Sequence, residues 1–141
     1  MKIKRMPGHT FDVPNRGTTG SCGYDLQSRI ELTLYPGEHK LIPTGWAIRL
    51  PIRMAGMILP RSGLAKNYGV TVLNAPGLVD EDYRGEIHVL LINHGDIAHN
   101  IRIGDKIAQI VIMPIYMPTW VEVNDLGETN RGDCGFGSTG R

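Results

Sequence analysis

Cysteine is nearly absent from this chain: its 141 residues hold only Cys22 and Cys134. Two are too few for a disulfide framework and stand at no metal-ligand spacing, so both read as incidental small residues. An excess of one charge is missing too. Lys and Arg number 15 against 14 Asp and Glu, and no basic field exists to draw in DNA, RNA or a membrane surface. Any polyanion bound must be small and held by a local cluster. Long apolar runs are lacking, which excludes a helix that spans a bilayer. The start, MKIKRMPGHT, has no apolar stretch of the secretory kind, so the expected location is the cytoplasm, or the host cell interior for a viral chain. The histidines (His9, His39, His88, His94 and His99) are scattered. His94 and His99 have no cysteine or acidic partner at ligand spacing, which argues against a zinc site.

Glycine and proline are what the chain has instead, 18 and 9 of them spread evenly between short apolar runs. This is the texture of an all-β domain, and the length fits one domain. RIELTLY at 29–35 alternates, with Ile30, Leu32 and Leu34 on one face and Arg29, Glu31 and Thr33 on the other. WAIRL at 46–50 does the same through Trp46, Ile48 and Leu50. Further strands are expected at 56–59, 70–73, 86–93, 100–103, 106–113 and 119–123. The run KIAQIVIM at 106–113 is nearly continuous in apolar residues, as in a strand buried on both faces. In so small a domain, that points to a second face covered by another subunit. One short helix is expected near SGLAKNYG, 62–69, with Ser62 as a possible cap. The domain runs over 1–123. From 124 to 141 the apolar pattern stops, and this glycine-rich arm cannot bury enough surface to order itself.

Several segments carry chemistry. In PRSGLA, 60–65, Arg61, Ser62 and Gly63 open the short helix, where exposed N–H groups, a guanidinium fork and a hydroxyl suit phosphate. A capped turn with a surface arginine fits equally well. In NAPGLVDEDYRGEI, 74–87, Asp80 and Asp82 share a face of an extended chain. One of them can serve as a general base toward water, or the loop is simply acidic and solvated. Gln109 interrupts an apolar strand and reaches either neighbouring backbone or a ligand at the strand end. Asp25 in CGYDLQS is a similar intruder. The arm segment GFGSTG lacks the lysine and helix of a Walker loop. Its glycines allow backbone to approach a ligand, and Phe136 is unusual in a merely solubilising tail.

These segments, in this order, resemble the dUTPase family of homotrimeric enzymes. CGYDL at 22–26 looks like the first motif, PRSGLA the second and NAPGLVDEDYRGEI the third. GDKIAQIV at 104–111 looks like the fourth, and RGDCGFGSTGR at 131–141 the fifth. The resemblance implies a distorted jelly roll of the barrel or sandwich type and hydrolysis of dUTP to dUMP and pyrophosphate with Mg2+. It also implies active sites shared among the chains of a homotrimer. Asp80 would be the catalytic base for the water that attacks the α-phosphate; ordinary carboxylates are ionised at neutral pH. Asp25 would hold magnesium through its waters, the ion sitting mainly on the triphosphate. Arg61, Ser62 and Gly63 would bind phosphate, with Gln109 near the scissile bond.

Base selection follows from the same resemblance. Uracil offers an N3 hydrogen and an O4 acceptor, and cytosine reverses both. Backbone groups around Leu78, Val79 and His88 in a hairpin, with the Asn74 side chain, would pair with uracil alone. Tyr83 would pack under the deoxyribose and exclude a 2′-hydroxyl. The arm would close over a neighbouring subunit's site, with Phe136 on the base. Arg131, Ser138 and Thr139 would hold the γ-phosphate, with Gly137 beside them on the substrate. Two residues depart from the family pattern: Cys22 for a small residue, and Cys134 for glycine. If position 134 needs a positive φ, Cys134 would weaken lid closure. Two other readings remain: a related dCTP deaminase, which needs a glutamate where this chain has Asp80, and a regulatory binding protein that keeps the fold.

Overall fold

The computed structural model describes residues 1–135. Eleven strands and one helix follow in chain order: β1 (Lys2–Arg5), β2 (Tyr24–Gln27), β3 (Leu32–Leu34), β4 (His39–Pro43), β5 (Trp46–Arg49), β6 (Met54–Leu59), α1 (Ser62–Tyr68), β7 (Val70–Val72), β8 (Gly77–Val79), β9 (His88–Asn93), β10 (His99–Ile101) and β11 (Lys106–Pro114). All pairings are antiparallel. The largest sheet has the order β2-β11-β6-β8, a second β4-β9-β7, and two ribbons pair β1 with β5 and β3 with β10. Together they form a jelly roll whose sheets close on one apolar core.

Pleating turns alternate side chains of β7 and β9 into the core, whereas β5, β6 and β11 each bury adjacent residues. Val89 and Leu91 of β9, Ile42 of β4, Val70 and Val72 of β7, Leu34 and Ile101 meet Leu26, Ile58 and Ile110 from the large sheet. Truncating one of these to alanine removes about 2–5 kcal/mol in cores of this kind. Asn93 is fully buried at the end of β9, yet its polar atoms are all engaged. Its amide donates to the carbonyls of Leu34 and Ile97, at 2.9 and 2.8 Å, and its oxygen accepts from the Gly95 N–H. That network fixes the β9–β10 turn against β3 without leaving an unpaired group in the core.

Several expectations change. The segment 119–123 forms no strand, and Trp120 and Val121 are exposed. The alternation in 29–35 yields a strand only over Leu32–Leu34, with Ile30 at the surface. Ser62 is already helical; the cap is Arg61, which has extended backbone and makes no side-chain cap bond. Within one chain, β11 leaves Val111 and Ile112 half-buried and Met113 exposed, and the second face expected against another subunit is open. β1, β2, β4 and β8 lie in segments too short or too polar for periodicity to mark them.

Candidate active site

β11 gathers the polar segments. It runs between β2 and β6, and Gln109 faces Asp25 across one ladder and Leu59 across the other. Arg61 follows shortly after Leu59, at the mouth of α1. The ladders therefore bring the first, second and fourth segments to one end of the sheet. A cleft of about 450 Å³ opens there, and Gly23, Asp25, Arg61, Ser62, Gly63 and Gln109 all line it.

Asp25 is held from two sides. Lys106 Nζ lies 2.7 Å from Oδ2 and Arg61 Nε 3.4 Å from Oδ1. The carboxylate is mostly buried, while both cations stay partly open to solvent. Arg61 is tied further, donating from Nη1 to the Lys106 carbonyl at 3.1 Å. Gln109 donates from Nε2 to the Pro60 carbonyl at 3.1 Å and still lines the cleft, so it meets backbone and faces the ligand space together. Gly23 lies so close that a Cβ there would stand 2.4 Å from Gln109 Oε1. The wall thus presents guanidinium, ammonium, amide and hydroxyl donors around a single carboxylate, an arrangement for a small polyanion.

The third segment lies elsewhere in the chain. Among the described residues β8 pairs only with β6 and is the edge of the large sheet, while His88 opens β9 in the other sheet. Residues 80–87 cross between the two, so Leu78 and Val79 are not laddered to His88. This separation leaves the outer edge of β8 without a strand partner among the described residues. Val79 sits opposite Gly56, which puts Asp80 toward the start of β6, whereas Arg61 stands beyond its end. Extended chain from Ala55 to Arg61 covers roughly 20 Å. None of Asn74, Leu78, Val79, Asp80, Tyr83 or His88 lines the cleft. One chain brings Asp25, Arg61, Ser62, Gly63 and Gln109 together and keeps the Asp80 segment apart.

Glu86 fastens that segment at its base. Its carbonyl accepts the Tyr83 hydroxyl at 2.9 Å and lies 2.9 Å from His88 Nδ1. Its carboxylate accepts the Gly45 N–H at 2.7 Å and pairs with Arg29 at 3.3 Å. Glu81, the other glutamate in this stretch, accepts the backbone N–H of Arg53. Its side chain is spent on that turn.

The dUTPase family model matches residues 9–140. The chain belongs to the dUTPase family. It is 45% identical to the deoxyuridine 5'-triphosphate nucleotidohydrolase of Anaeromyxobacter sp. (strain Fw109-5), over 100% of this chain and 97% of that protein. It is 48% identical to the one from Methylocella silvestris, over 98% of this chain and 89% of the relative. Among solved structures, Staphylococcus bacteriophage 80alpha dUTPase with dUPNHPP superposes with a TM-score of 0.90 at 25% identity, covering 99% of this chain and 98% of the other. Streptococcus mutans dUTPase gives 0.79 at 23%, covering 85% and 100%, and shows the shared fold.

Cys134 does not take a positive φ; among described residues other than glycine only Arg53 does, at 61°. The Cys134 N–H donates to the Arg131 carbonyl at 3.2 Å. Arg131 returns a bond from Nε to the Cys134 carbonyl at 3.2 Å. Phe136, Gly137, Ser138 and Thr139 lie outside the described residues. Lys106 is the charged cleft residue that sequence reasoning missed, and Ser21, Asn67 and Tyr68 line the cleft unannounced as well. Lys106 stands inside the fourth segment, but nothing in an alternating pattern announces that it faces Asp25.

Proposed function

We propose that this chain hydrolyses dUTP to dUMP and pyrophosphate, which keeps uracil out of DNA and supplies dUMP for thymidylate synthesis. The observation that carries the reading is the cleft in which Asp25, Arg61 and Gln109 converge from three separate segments. Its support is the chain's place in a family whose relatives are named for this reaction.

In this reading Arg61 offers forked donors to the phosphate oxygens, with the Ser62 hydroxyl and Gly63 backbone beside it. Gln109 donates near the scissile bond. Asp80 accepts a proton as water forms a bond to the α-phosphorus, and the bond to the bridging oxygen breaks to release pyrophosphate. Asn74, Leu78, Val79 and His88 pair with uracil, His88 through its backbone, since its imidazole is engaged with Glu86. Tyr83 closes the 2′ side of the sugar. Arg131, Phe136, Gly137, Ser138 and Thr139 cover the nucleotide from another copy's arm. Catalysis is mainly positioning and charge stabilisation.

Among the described residues no group of three or more His, Cys, Asp or Glu could cage a metal ion. Asp25 is the one carboxylate of the cleft wall. That donor set fits Mg2+ carried mainly on the triphosphate, which Asp25 would help to hold through water. When bound, the ion neutralises charge on the triphosphate and on the leaving pyrophosphate.

The assembly that fits is a homotrimer with shared sites. Asp80 and Arg61 lie toward opposite ends of β6, roughly 20 Å apart along the strand, which favours sites completed by a second copy. Tyr116, Trp120 and Leu126 stand 91%, 94% and 95% exposed, an apolar load suited to a neighbouring subunit. No described helix is long and apolar enough to cross a membrane, and the cytoplasm is the compartment that goes with this substrate.

Pyrophosphate release from dUTP with Mg2+ tests the reading. The unmodified chain should release it and Asp80→Asn should lose at least about a hundredfold in kcat. Equal rates from both would remove Asp80 as the base; no release from either would remove the enzyme reading.

A further inference from the structure

β11 does not run evenly past β2. Gln109 pairs with Asp25 and Ala108 with Leu26, but Lys106, not Ile107, pairs with Gln27. Ile107 is the extra residue of a β-bulge. It and Ala108 are neighbours in sequence and both buried, at 2% and 0% exposure. Neighbours in an even strand face opposite sides of the sheet. Without the bulge, Ile107 would share the face of Asp25 and Gln109, and Lys106 would point to the core. The extra residue turns Ile107 inward and delivers Lys106 to the cleft face.

Lys106 then grips both charged residues of the wall. Its ammonium takes Asp25 Oδ2 at 2.7 Å, and its carbonyl accepts from Arg61 at 3.1 Å. It also borders a second cleft of about 380 Å³, which shares only Asp25 and Lys106 with the first. The ion pair is the partition between the two. Stability alone is a poor reason for this arrangement, because a bulge interrupts the ladder and a half-exposed ion pair contributes little.

We propose that Lys106 is a positioning residue for the reaction, acting through Asp25. Its ammonium holds Oδ2, so the carboxylate keeps one orientation, with Oδ1 turned toward Arg61 and the phosphate space. The proposal rests on the dUTP reading for its substrate, but the bulge and the ion pair stand independently of it.

A double-mutant cycle tests it, with two readouts: kcat/KM for dUTP, and affinity for the non-hydrolysable analogue dUpNHpp with Mg2+ by calorimetry. Lys106→Gln should lower both about tenfold in the unmodified background and less than about twofold when Asp25→Asn is already present. Lys106→Arg should restore both to within about threefold, and thermal midpoints should stay within about 2 °C. An equal loss in both backgrounds overturns the proposal, since Lys106 would then act on phosphate directly. No loss in either also overturns it. Failure of the dUTP reading looks different: the unmodified chain would release no pyrophosphate.

Discussion

Gln109 donates its side-chain amide to the carbonyl of Pro60 at 3.1 Å while its oxygen rests against Gly23. One amide thereby locks the second segment to the first. Gly23→Ala would put a Cβ 2.4 Å from Oε1 and 3.1 Å from Gln109 Cβ. Rotating the amide relieves the first contact but not the second. We expect kcat/KM for dUTP to fall about tenfold to a hundredfold, as for a misplaced positioning group, with a change of only a few degrees in the thermal midpoint. Wild-type kinetics in Gly23→Ala would show that Gln109 does not depend on this contact.

The separation of Asp80 from Arg61 along β6 predicts complementation. Arg61→Ala and Asp80→Asn should each be inactive alone. In mixed assemblies of the proposed trimer, a site that takes its Arg61 from one variant and its Asp80 from the other would be whole. Random mixing should restore about a quarter of the sites. Subunits unfolded and refolded together should regain activity that the same proteins, merely mixed while folded, lack. Two variants that stay inactive after co-refolding would mean both residues serve one site from one chain.

Much of this architecture is legible in the chain because strands with one buried face alternate. Trp46, Ile48 and Leu50 announce β5 that way, and all three are buried. The helix at PRSGLA is legible from its position after a proline-ended strand. Other features depend on distant pairing. β2 and β4 are polar in one face and short, and they become strands because β11 and β9 offer ladders. The reverse holds for 119–123, whose alternation finds no ladder within the described chain. The bulge at Ile107 is invisible for a different reason: KIAQIVIM is apolar on both sides, so a slip of one residue leaves its pattern unchanged. That slip is what turns Lys106 to Asp25.

Tyr83 makes a specificity prediction. Its hydroxyl is fixed on the Glu86 carbonyl at 2.9 Å, which holds the ring in place beside the Asp80 turn. Tyr83→Ala should open room for a 2′-hydroxyl and raise the UTP to dUTP ratio of kcat/KM about tenfold or more. Tyr83→Phe keeps the ring, loses the anchor, and should shift the ratio much less. Parallel assays of both variants on UTP and dUTP decide it; unchanged discrimination in Tyr83→Ala would assign the sugar choice to another residue.

His9 predicts how stability depends on pH. Its ring is buried edge-on to Phe11 and Trp46, with centroids 4.8 Å away in both cases, and Nε2 has no hydrogen-bond partner. Gly45 makes the space: its φ is +81°, and a Cβ there would stand 2.2 Å from the imidazole. Burial, then the charges of Arg5 and Arg29, hold the His9 pKa below its ordinary 6.5, with Glu86 opposing them. Near pH 7 and above, His9 is neutral in both folded and unfolded chains, so its effect is constant. Below about pH 6.5 the unfolded chain takes up a proton that the folded chain refuses, and stability falls as pH falls. Glu38 also loses stability with acid, because the Tyr35 N–H and Lys40 lower its pKa, but only below about its ordinary 4.5. The windows are distinct. Thermal midpoints should hold level from about pH 8 to 7 and decline from about 6.5 toward 5.5. His9→Gln should flatten that decline and leave the drop below about 4.5 in place. A variant that declines as steeply as the parent over the upper window would assign the proton to a different group.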